Sequence, residues 1–154
     1  MITTLRHRLA HGIELSCRVC GKAGNPVLMF LHGFPEAAFA WDELLEYFAQ
    51  ADHGGYRCVA PNLRGYADSS RPTEVEQYRA KHLVQDILAL MDLESPGRAP
   101  AALVAHDWGG AVAWSLANQY PQRIERLAIL NSPHPGTFWR ELRNNPEQIG
   151  RAHV

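Results

Sequence analysis

Short, largely apolar runs, separated by segments with helical periodicity, constrain the fold of this chain more than any other feature. The runs read VLMFL, YRCVAP, AALVAH and IERLAIL. Strands that are apolar along their length are buried on both faces, as in a parallel sheet covered by helices on both sides. Two intervening segments repeat apolar residues every three or four positions: Trp41, Leu44, Leu45 and Phe48, then Val84, Ile87, Leu88 and Met91. This alternation predicts an α/β domain with a mostly parallel sheet.

Turn-forming residues set the limits of these elements. Two extended segments, 3–12 and 13–21, precede the first buried strand. We expect helices over 35–50 and 109–120, the second ended by Pro121, because a proline ring disfavours a continuing helix. At 154 residues the chain has the length of one domain, and no repeat or linker-like tract divides it.

The charge balance and the length of the apolar runs limit the possible partners. The formal net charge is −1, and no stripe of Lys and Arg is present. Nucleic acids and anionic membranes are therefore poor partners. The longest apolar runs are too short to cross a bilayer, and the N-terminus lacks the basic-then-apolar order of a signal peptide. We expect a cytoplasmic protein of undetermined oligomeric state.

One C-x-x-C pair, Cys17 and Cys20, raises the question of a redox or zinc site. The pair lies in a predicted strand, where residues three positions apart face opposite sides of the sheet. A second pair that would complete four zinc ligands is not present in the sequence. We therefore expect neither a metal nor a cofactor.

The stretch VAHDWGGAVAW carries the strongest chemical signal. A strand ends at His106, and Asp107 then stands before Trp108, Gly109 and Gly110, which open a helix. Small residues around such a turn let two backbones approach, as in the nucleophile elbow of serine hydrolases. The start of the helix favours a negative charge, which suits a nucleophilic carboxylate. Alone, the pattern fits a helix N-cap at Asp107 equally well.

A second motif, FLHGFPE, follows the buried strand two elements earlier. In a fold of this type, the loop after that strand supplies one backbone N–H to an oxyanion hole, and the residue after the nucleophile supplies the other. We assign these donors to Phe34 and Trp108. His32 and Gly33 permit the tight turn, and Pro35 stiffens it, as a cis peptide. A plain turn is the alternative for this motif alone, but the acidic elbow downstream favours the oxyanion loop.

These two motifs together define a chemistry. A carboxylate that attacked an ester would form a labile anhydride, so ester and peptide cleavage are disfavoured. Attack on a saturated carbon gives an alkyl ester of Asp107, a covalent intermediate. Water then attacks the carbonyl carbon of that ester, and the oxyanion hole stabilises the tetrahedral species. The substrate would be a small epoxide or an alkyl halide.

The sequence resembles the N-terminal half of an α/β-hydrolase-fold epoxide hydrolase. LHGFPE, APNLRGYADSSRP, VAHDWGGAVAW and LNSPHP match the motifs of that family in order and spacing, over residues 1 to about 147. The resemblance implies the α/β-hydrolase fold, with about its first six strands present. It also implies that Asp107 is the nucleophile, and that Phe34, Trp108 and His134 surround the substrate.

The resemblance assigns other residues a structural part. Arg64 and Asp68 resemble a loop pair without a chemical role, and His106 is expected to pack behind the turn. Residues 1–135 would belong to the hydrolase core and 136–147 to the start of a lid. The structural residues at the site are His32, Gly33, Pro35, His106, Gly109 and Gly110.

Three alternatives stay open. Haloalkane dehalogenases usually carry Asn where Phe34 stands, and haloacetate dehalogenases usually carry Arg where Trp108 stands, so both differences favour an epoxide hydrolase. The third alternative, from another class, is a binding protein that keeps the fold without catalysis.

Hydrolysis of the alkyl ester requires a general base, normally a histidine oriented by an acid. The family places that histidine in the last part of the fold, after two further strands. Two tyrosines that polarise the epoxide oxygen belong to the lid of the family and are also expected beyond the residues given. None of the eight histidines occupies such a place: His7, His11, His32, His53, His82, His106, His134 and His153. The final IGRAHV resembles a translated sequencing adapter, so we expect 148–154 to be non-native. We therefore expect these residues alone not to turn over.

Overall fold

The computed structural model describes residues 1–145 and places six strands and four α-helices in that part of the chain. The strands are β1 Thr3–Arg8, β2 Glu14–Cys20, β3 Val27–Leu31, β4 Arg57–Pro61, β5 Ala102–His106 and β6 Leu127–Leu130. The helices are α1 Asp42–Phe48, α2 Ala80–Glu94, α3 Trp108–Gln119 and α4 Pro135–Asn144. The predicted tail, 148–154, and the end of the predicted lid segment lie outside the described residues.

The strands form one sheet in the order β1-β2-β4-β3-β5-β6. β1 pairs antiparallel with β2, and β2 with β4, while the four strands from β4 to β6 run parallel. All five residues of the central strand β3 are buried, as its apolar sequence predicts. The mostly parallel, helix-flanked sheet confirms the predicted α/β-hydrolase architecture.

The pairing of β3 with β5 brings two distant loops together. Leu31 and Ala105 are register partners near the carboxyl ends of these strands. The loop that begins at His32 and the turn at Asp107 therefore leave the same edge of the sheet, side by side. This adjacency creates the candidate site.

Separate apolar clusters cover the two faces of the sheet. One contains buried residues of α2 and α3, and the other contains residues of α1. Cys17 belongs to the first cluster and Cys20 to the second, which confirms that the C-x-x-C pair is split by strand alternation. Cys20 instead faces Cys58, its register partner on β4.

The first helix is shorter than predicted. A 3-10 turn, Ala38–Trp41, precedes α1, and Ala37 before it is extended. Leu45 is fully buried, whereas Leu44, expected in the core, is 39% exposed. Adjacent side chains on an α-helix point about 100° apart, so only one of these two leucines can face the sheet directly.

Two expected helices agree with the structure. On α2, Val84, Ile87 and Met91 are buried, as their spacing predicts, and Leu88 is partly buried against the same cluster. The helix α3 ends at Gln119, just before Pro121. Within residues 1–145, no helix has both the length and the apolar character needed to cross a membrane.

Candidate active site

Asp107 occupies a sharp turn between β5 and α3. Its backbone has φ 50° and ψ −118°, a conformation that residues with a Cβ rarely adopt. Such strain costs about 1–3 kcal/mol and persists only where the surroundings enforce it. Although Asp107 immediately precedes α3, its side chain makes no capping hydrogen bond to the helix. The carboxylate is therefore left available for contacts outside the helix, and helix capping does not explain why an acid stands here.

Two glycines allow the elbow and the neighbouring loop to touch. A Cβ on Gly109 would lie 2.6 Å from the carbonyl oxygens of both Leu31 and His32, and a Cβ on Gly33 would lie 2.5 Å from the Cβ of Asp107. Both distances are far inside van der Waals contact. Gly110 similarly approaches Ser132, whose Cβ would lie 2.4 Å from an added Cβ. The small residues predicted around the elbow are thus a steric requirement of this packing.

The loop after β3 directs a backbone donor at the carboxylate. The N–H of Phe34 donates to Oδ1 of Asp107 over 3.1 Å. The Phe34–Pro35 peptide bond is cis, as predicted. Trp108 is the first residue of α3, where a backbone N–H has no intrahelical acceptor. Within residues 1–145, that N–H has no hydrogen-bond partner. The side chains of Phe34 and Trp108 are 64% and 62% exposed at this edge.

His32 fixes the start of this loop. Its imidazole is fully buried, and its Nε2 accepts a 3.0 Å hydrogen bond from the N–H of Leu63. Nδ1 lies 2.9 Å from the Gly33 carbonyl oxygen. Since Nε2 is an acceptor, the neutral ring carries its proton on Nδ1 and donates it to that carbonyl. Burial lowers the pKa of His32, which favours this neutral form.

His106 differs from its expected position behind the turn. Its side chain is 30% exposed, and its Nδ1 lies 3.5 Å from Oε2 of Glu36. Both residues line a cavity of about 510 Å³ that also contacts Trp41 and Leu130. Glu36 belongs to the FLHGFPE motif, but nothing local in the sequence indicates that its side chain reaches β5.

His134 stands at the start of α4. Its Nδ1 accepts a 3.2 Å hydrogen bond from the N–H of Gly136 and so caps the helix. Its ring contacts Trp114 edge-on, with the ring centroids 4.9 Å apart. Trp114 in turn donates from Nε1 to the Ser132 carbonyl oxygen over 3.1 Å. These contacts attach the loop after β6 to α3.

The predicted pair of Arg64 and Asp68 is wrong. Arg64 instead donates two hydrogen bonds to Asp86 on α2, at 2.8 and 2.6 Å, and both side chains are almost fully buried. Asp68 is 73% exposed and lies 4.0 Å from Arg6. A buried guanidinium needs a buried partner, which an exposed loop residue cannot provide. The sequence feature that indicates this partner is Asp86, an acidic residue beside the apolar face of a predicted helix.

Tyr66 is a further site residue that sequence reasoning missed. Its ring meets the His32 imidazole edge-on, with centroids 4.7 Å apart. Burial raises the pKa of Tyr66, and the nearby negative charge of Asp107 raises it further. The phenol therefore stays neutral beside the carboxylate.

The described part of the chain provides a carboxylate and an amide donor, but not a base in contact with them. Across residues 1–145, neither a hydrogen bond nor an ion pair joins Asp107 to a histidine. In the same range, no group of three or more His, Cys, Asp or Glu side chains could hold a metal ion. This arrangement can position an anionic nucleophile and stabilise an oxyanion beside it.

Comparison with known proteins identifies the family. A family profile described as alpha/beta hydrolase fold matches residues 26–149. Epoxide hydrolase 4 of Mus musculus is 37% identical over 141 residues, which are 92% of this chain and 38% of the mouse protein. Epoxide hydrolase A of Mycobacterium tuberculosis is 37% identical over 123 residues, covering 80% of this chain and 37% of its own length.

Solved structures agree with these sequence matches. An epoxide hydrolase from metagenomes of hot environments superimposes with a TM-score of 0.85 at 39% identity, covering 95% of this chain and 47% of its own. Potato (Solanum tuberosum) epoxide hydrolase I gives a TM-score of 0.76 at 33% identity, covering 84% and 39%. The chain thus spans less than half the length of each of these relatives.

Proposed function

This chain belongs to the α/β-hydrolase fold family and resembles its epoxide hydrolases, and on that premise we propose that its protein opens epoxides to vicinal diols through an ester on Asp107. The observation that carries the proposal is the hydrogen bond from the Phe34 N–H to the Asp107 carboxylate. This contact supports the proposal, because a backbone donor lies 3.1 Å from an oxygen of the proposed nucleophile.

In the first step, a carboxylate oxygen of Asp107 attacks an epoxide carbon. The new bond is the ester C–O bond, and the bond that breaks is the C–O bond of the strained ring. The ring oxygen leaves as an alkoxide and takes a proton from water or from an acid in the complete site. Strain in the three-membered ring drives this step, so a carboxylate suffices as nucleophile.

In the second step, water attacks the carbonyl carbon of the Asp107 ester. The carbonyl oxygen becomes an oxyanion, and the N–H groups of Phe34 and Trp108 donate to it. A base in the complete site takes one proton of the attacking water and passes it to the departing alkoxide, which leaves as the diol. The other proton of that water returns to the group that protonated the ring oxygen, and Asp107 regains its carboxylate with one oxygen from water. Loss of one such donor typically costs about 10²–10³ in rate.

The side chains around the elbow support an epoxide over a halogenated substrate. Phe34 and Trp108 are exposed at the strand edge, and neither can act as a halide-binding amide or as a carboxylate-binding guanidinium. The relatives reported above are epoxide hydrolases by name. Dehalogenation of an alkyl halide through the same ester remains the second candidate, because the first step needs only a leaving group.

Mass spectrometry tests the proposal directly. The chain would be incubated with styrene oxide, digested, and examined for an adduct of the reagent mass on the peptide that contains Asp107. We expect the adduct in the unmodified chain and its loss in Asp107→Asn, because a carboxamide is a poor nucleophile. Release of halide from haloalkanes, without an epoxide adduct, would instead identify a dehalogenase. Absence of both reactions would favour a non-catalytic binding protein.

We further propose that this chain alone forms the ester but releases it slowly, since residues 1–145 bring no histidine into contact with Asp107. The adduct should accumulate to about one per chain without sustained diol formation. Steady diol production over many turnovers by the purified chain would refute this part of the proposal. The assignments of residues 1–135 to the core and of α4 to the start of a lid are part of the same proposal.

A further inference from the structure

Asn62 is a buried amide that sequence reasoning left without a role. It follows β4 directly and is 7% exposed. Its side-chain Oδ1 accepts a 2.8 Å hydrogen bond from the backbone N–H of Ala38. Ala38 begins the 3-10 turn at the far end of the oxyanion loop, which we define as residues 32–38.

The main chain of Asn62 is itself held by β2 and the following loop. Its N–H donates to the carbonyl oxygen of Ser16 over 2.8 Å. Its carbonyl oxygen accepts a 2.6 Å hydrogen bond from Oγ of Ser69, which also accepts from the N–H of Ser16 at 3.0 Å. All three residues are buried. The backbone of Asn62 is therefore fixed to β2 and the following loop, and its side-chain amide reaches from there to the oxyanion loop.

The next residue holds the other end of the same loop. The N–H of Leu63 donates to Nε2 of His32, whose Nδ1 bonds the Gly33 carbonyl oxygen. Consecutive residues of one loop thus fix the oxyanion loop at both ends, through His32 and through Ala38. The Phe34 N–H, which faces Asp107, lies between these two points of attachment.

We propose that Asn62 is a positioning residue for the oxyanion hole, which holds the Phe34 N–H on the carboxyl group of Asp107 by anchoring the far end of the loop. This inference rests on the proposed function, in which that N–H stabilises the tetrahedral oxyanion. Asn62 itself does not contact the reacting atoms and acts only through the loop.

This role predicts that the two chemical steps respond differently to a change at Asn62. Ester formation uses the carboxylate and does not generate an oxyanion at its carbonyl group. Ester hydrolysis does generate one, and a donor that has shifted by a fraction of an ångström stabilises it less. Loosening the loop should therefore slow ester hydrolysis and leave ester formation nearly unchanged.

Three variants separate positioning from general stability. Asn62→Leu keeps the size of the side chain but removes the acceptor for Ala38. Asn62→Asp keeps an acceptor oxygen in the same place, next to a helical turn that favours negative charge. Ser70→Ala is the matched control, because Oγ of Ser70 accepts from the N–H of Glu14 and, within residues 1–145, forms no hydrogen bond with the oxyanion loop.

The rates of ester formation and ester loss can each be measured in this chain and in its variants. Ester formation is followed by mass spectrometry after addition of styrene oxide, and ester loss after its removal, in buffer with imidazole as an external base. We expect Asn62→Leu to lose the ester about tenfold more slowly than the unmodified chain, with ester formation within about threefold. Asn62→Asp and Ser70→Ala should lose the ester within about threefold of the unmodified chain. Equal ester loss in the Leu and Asp variants would overturn the inference.

The NMR signal of the Phe34 amide proton tests the inference independently of the proposed chemistry. Removal of the Phe34–Asp107 hydrogen bond should shift the amide proton signal of Phe34 in Asn62→Leu and not in Asn62→Asp. A change confined to the amide proton signal of Ala38 would overturn the inference, even if the ester never forms. Absence of the ester would count against the proposed function alone. If Asn62→Leu does not fold, Asn62→Ser, too short to reach Ala38, takes its place in both measurements.

Discussion

The backbone N–H of Phe34 and the carboxylate of Asp107 meet at 3.1 Å, although 73 positions separate them in the chain. The contact depends on the parallel pairing of β3 with β5, which places the two turns side by side. It also depends on Gly33, because a larger residue there would strike Asp107. The proposed chemistry depends on this close contact between the loop after β3 and the turn after β5.

The close approach of the two loops predicts that Gly109→Ala strongly destabilises the fold. An added Cβ would lie 2.6 Å from two backbone carbonyl oxygens, and backbone atoms cannot move aside cheaply. We expect the free energy of unfolding to fall by about 3 kcal/mol or more, and the yield of the Asp107 ester to fall with it. Gly136→Ala is the control, since its Cβ would meet only the His134 ring at 3.3 Å and should change stability by less than about 1 kcal/mol. Similar urea midpoints for both variants would contradict this account of the elbow.

The ion pair between Arg64 and Asp86 predicts a large cost for removing one partner. Asp86→Ala leaves the Arg64 guanidinium, with a side chain only 1% exposed, without its countercharge. We expect a loss of about 3–5 kcal/mol in the free energy of unfolding. Asp68→Ala should change it by less than about 0.5 kcal/mol, because that carboxylate is exposed. Chemical denaturation of both variants decides between the two partners, and a larger effect at Asp68 would restore the sequence-based pairing.

The backbone of Ala67 predicts a stabilising substitution. Its φ is 44°, in the left-handed region that costs a residue with a Cβ about 1–2 kcal/mol. Ala67→Gly removes that strain but gives the unfolded chain more freedom, so we expect a net gain of up to about 1 kcal/mol. The same substitution at Ala89, inside α2, should instead cost about 1 kcal/mol. Thermal unfolding should therefore shift in opposite directions, and a loss of stability in both variants would refute the prediction.

Glu94 predicts an acid-dependent loss of stability. Burial would raise its pKa, but the His7 imidazole and the two hydrogen bonds from Arg57 lower it to about 2. Because the folded pKa lies below the ordinary value of 4.5, this contribution is complete above pH 4.5 and is lost as the pH falls towards 2. It is worth on the order of 3 kcal/mol. Urea unfolding should show about 2 kcal/mol of this loss between pH 7 and pH 3, because pH 3 is still above the folded pKa. Glu94→Gln should show a smaller difference between the two pH values.

Much of the fold was readable from the chain because its signals are local. The apolar run of β3 and the spacing of Val84, Ile87 and Met91 report burial directly, and both predictions are confirmed. The elbow was equally readable, since the turn at Asp107 needs small residues within a few positions of it. The cis peptide at Pro35 follows from the same kind of local evidence.

The errors concern partners that local patterns do not encode. The sequence predicts that Arg64 pairs with a neighbour in its own loop, whereas the buried carboxylate of Asp86 on α2 neutralises it. It predicts that His106 packs behind the turn, whereas the side chain is partly exposed and lies close to Glu36. Periodicity predicts Leu44 in the core, but Leu45 takes the position that faces the sheet.

We can read the order of elements, the acid at the elbow and the glycines of the turn from the chain, because each depends on residues that are adjacent along it. The anchoring of both ends of the oxyanion loop by Asn62 and Leu63, and the neutralisation of Arg64 by Asp86, follow only from the packing of distant segments. Hydrogen bonds and buried charges are satisfied by whatever groups the sheet order brings within about 3 Å. In this chain, that order places β4 on one side of β3 and β5 on the other.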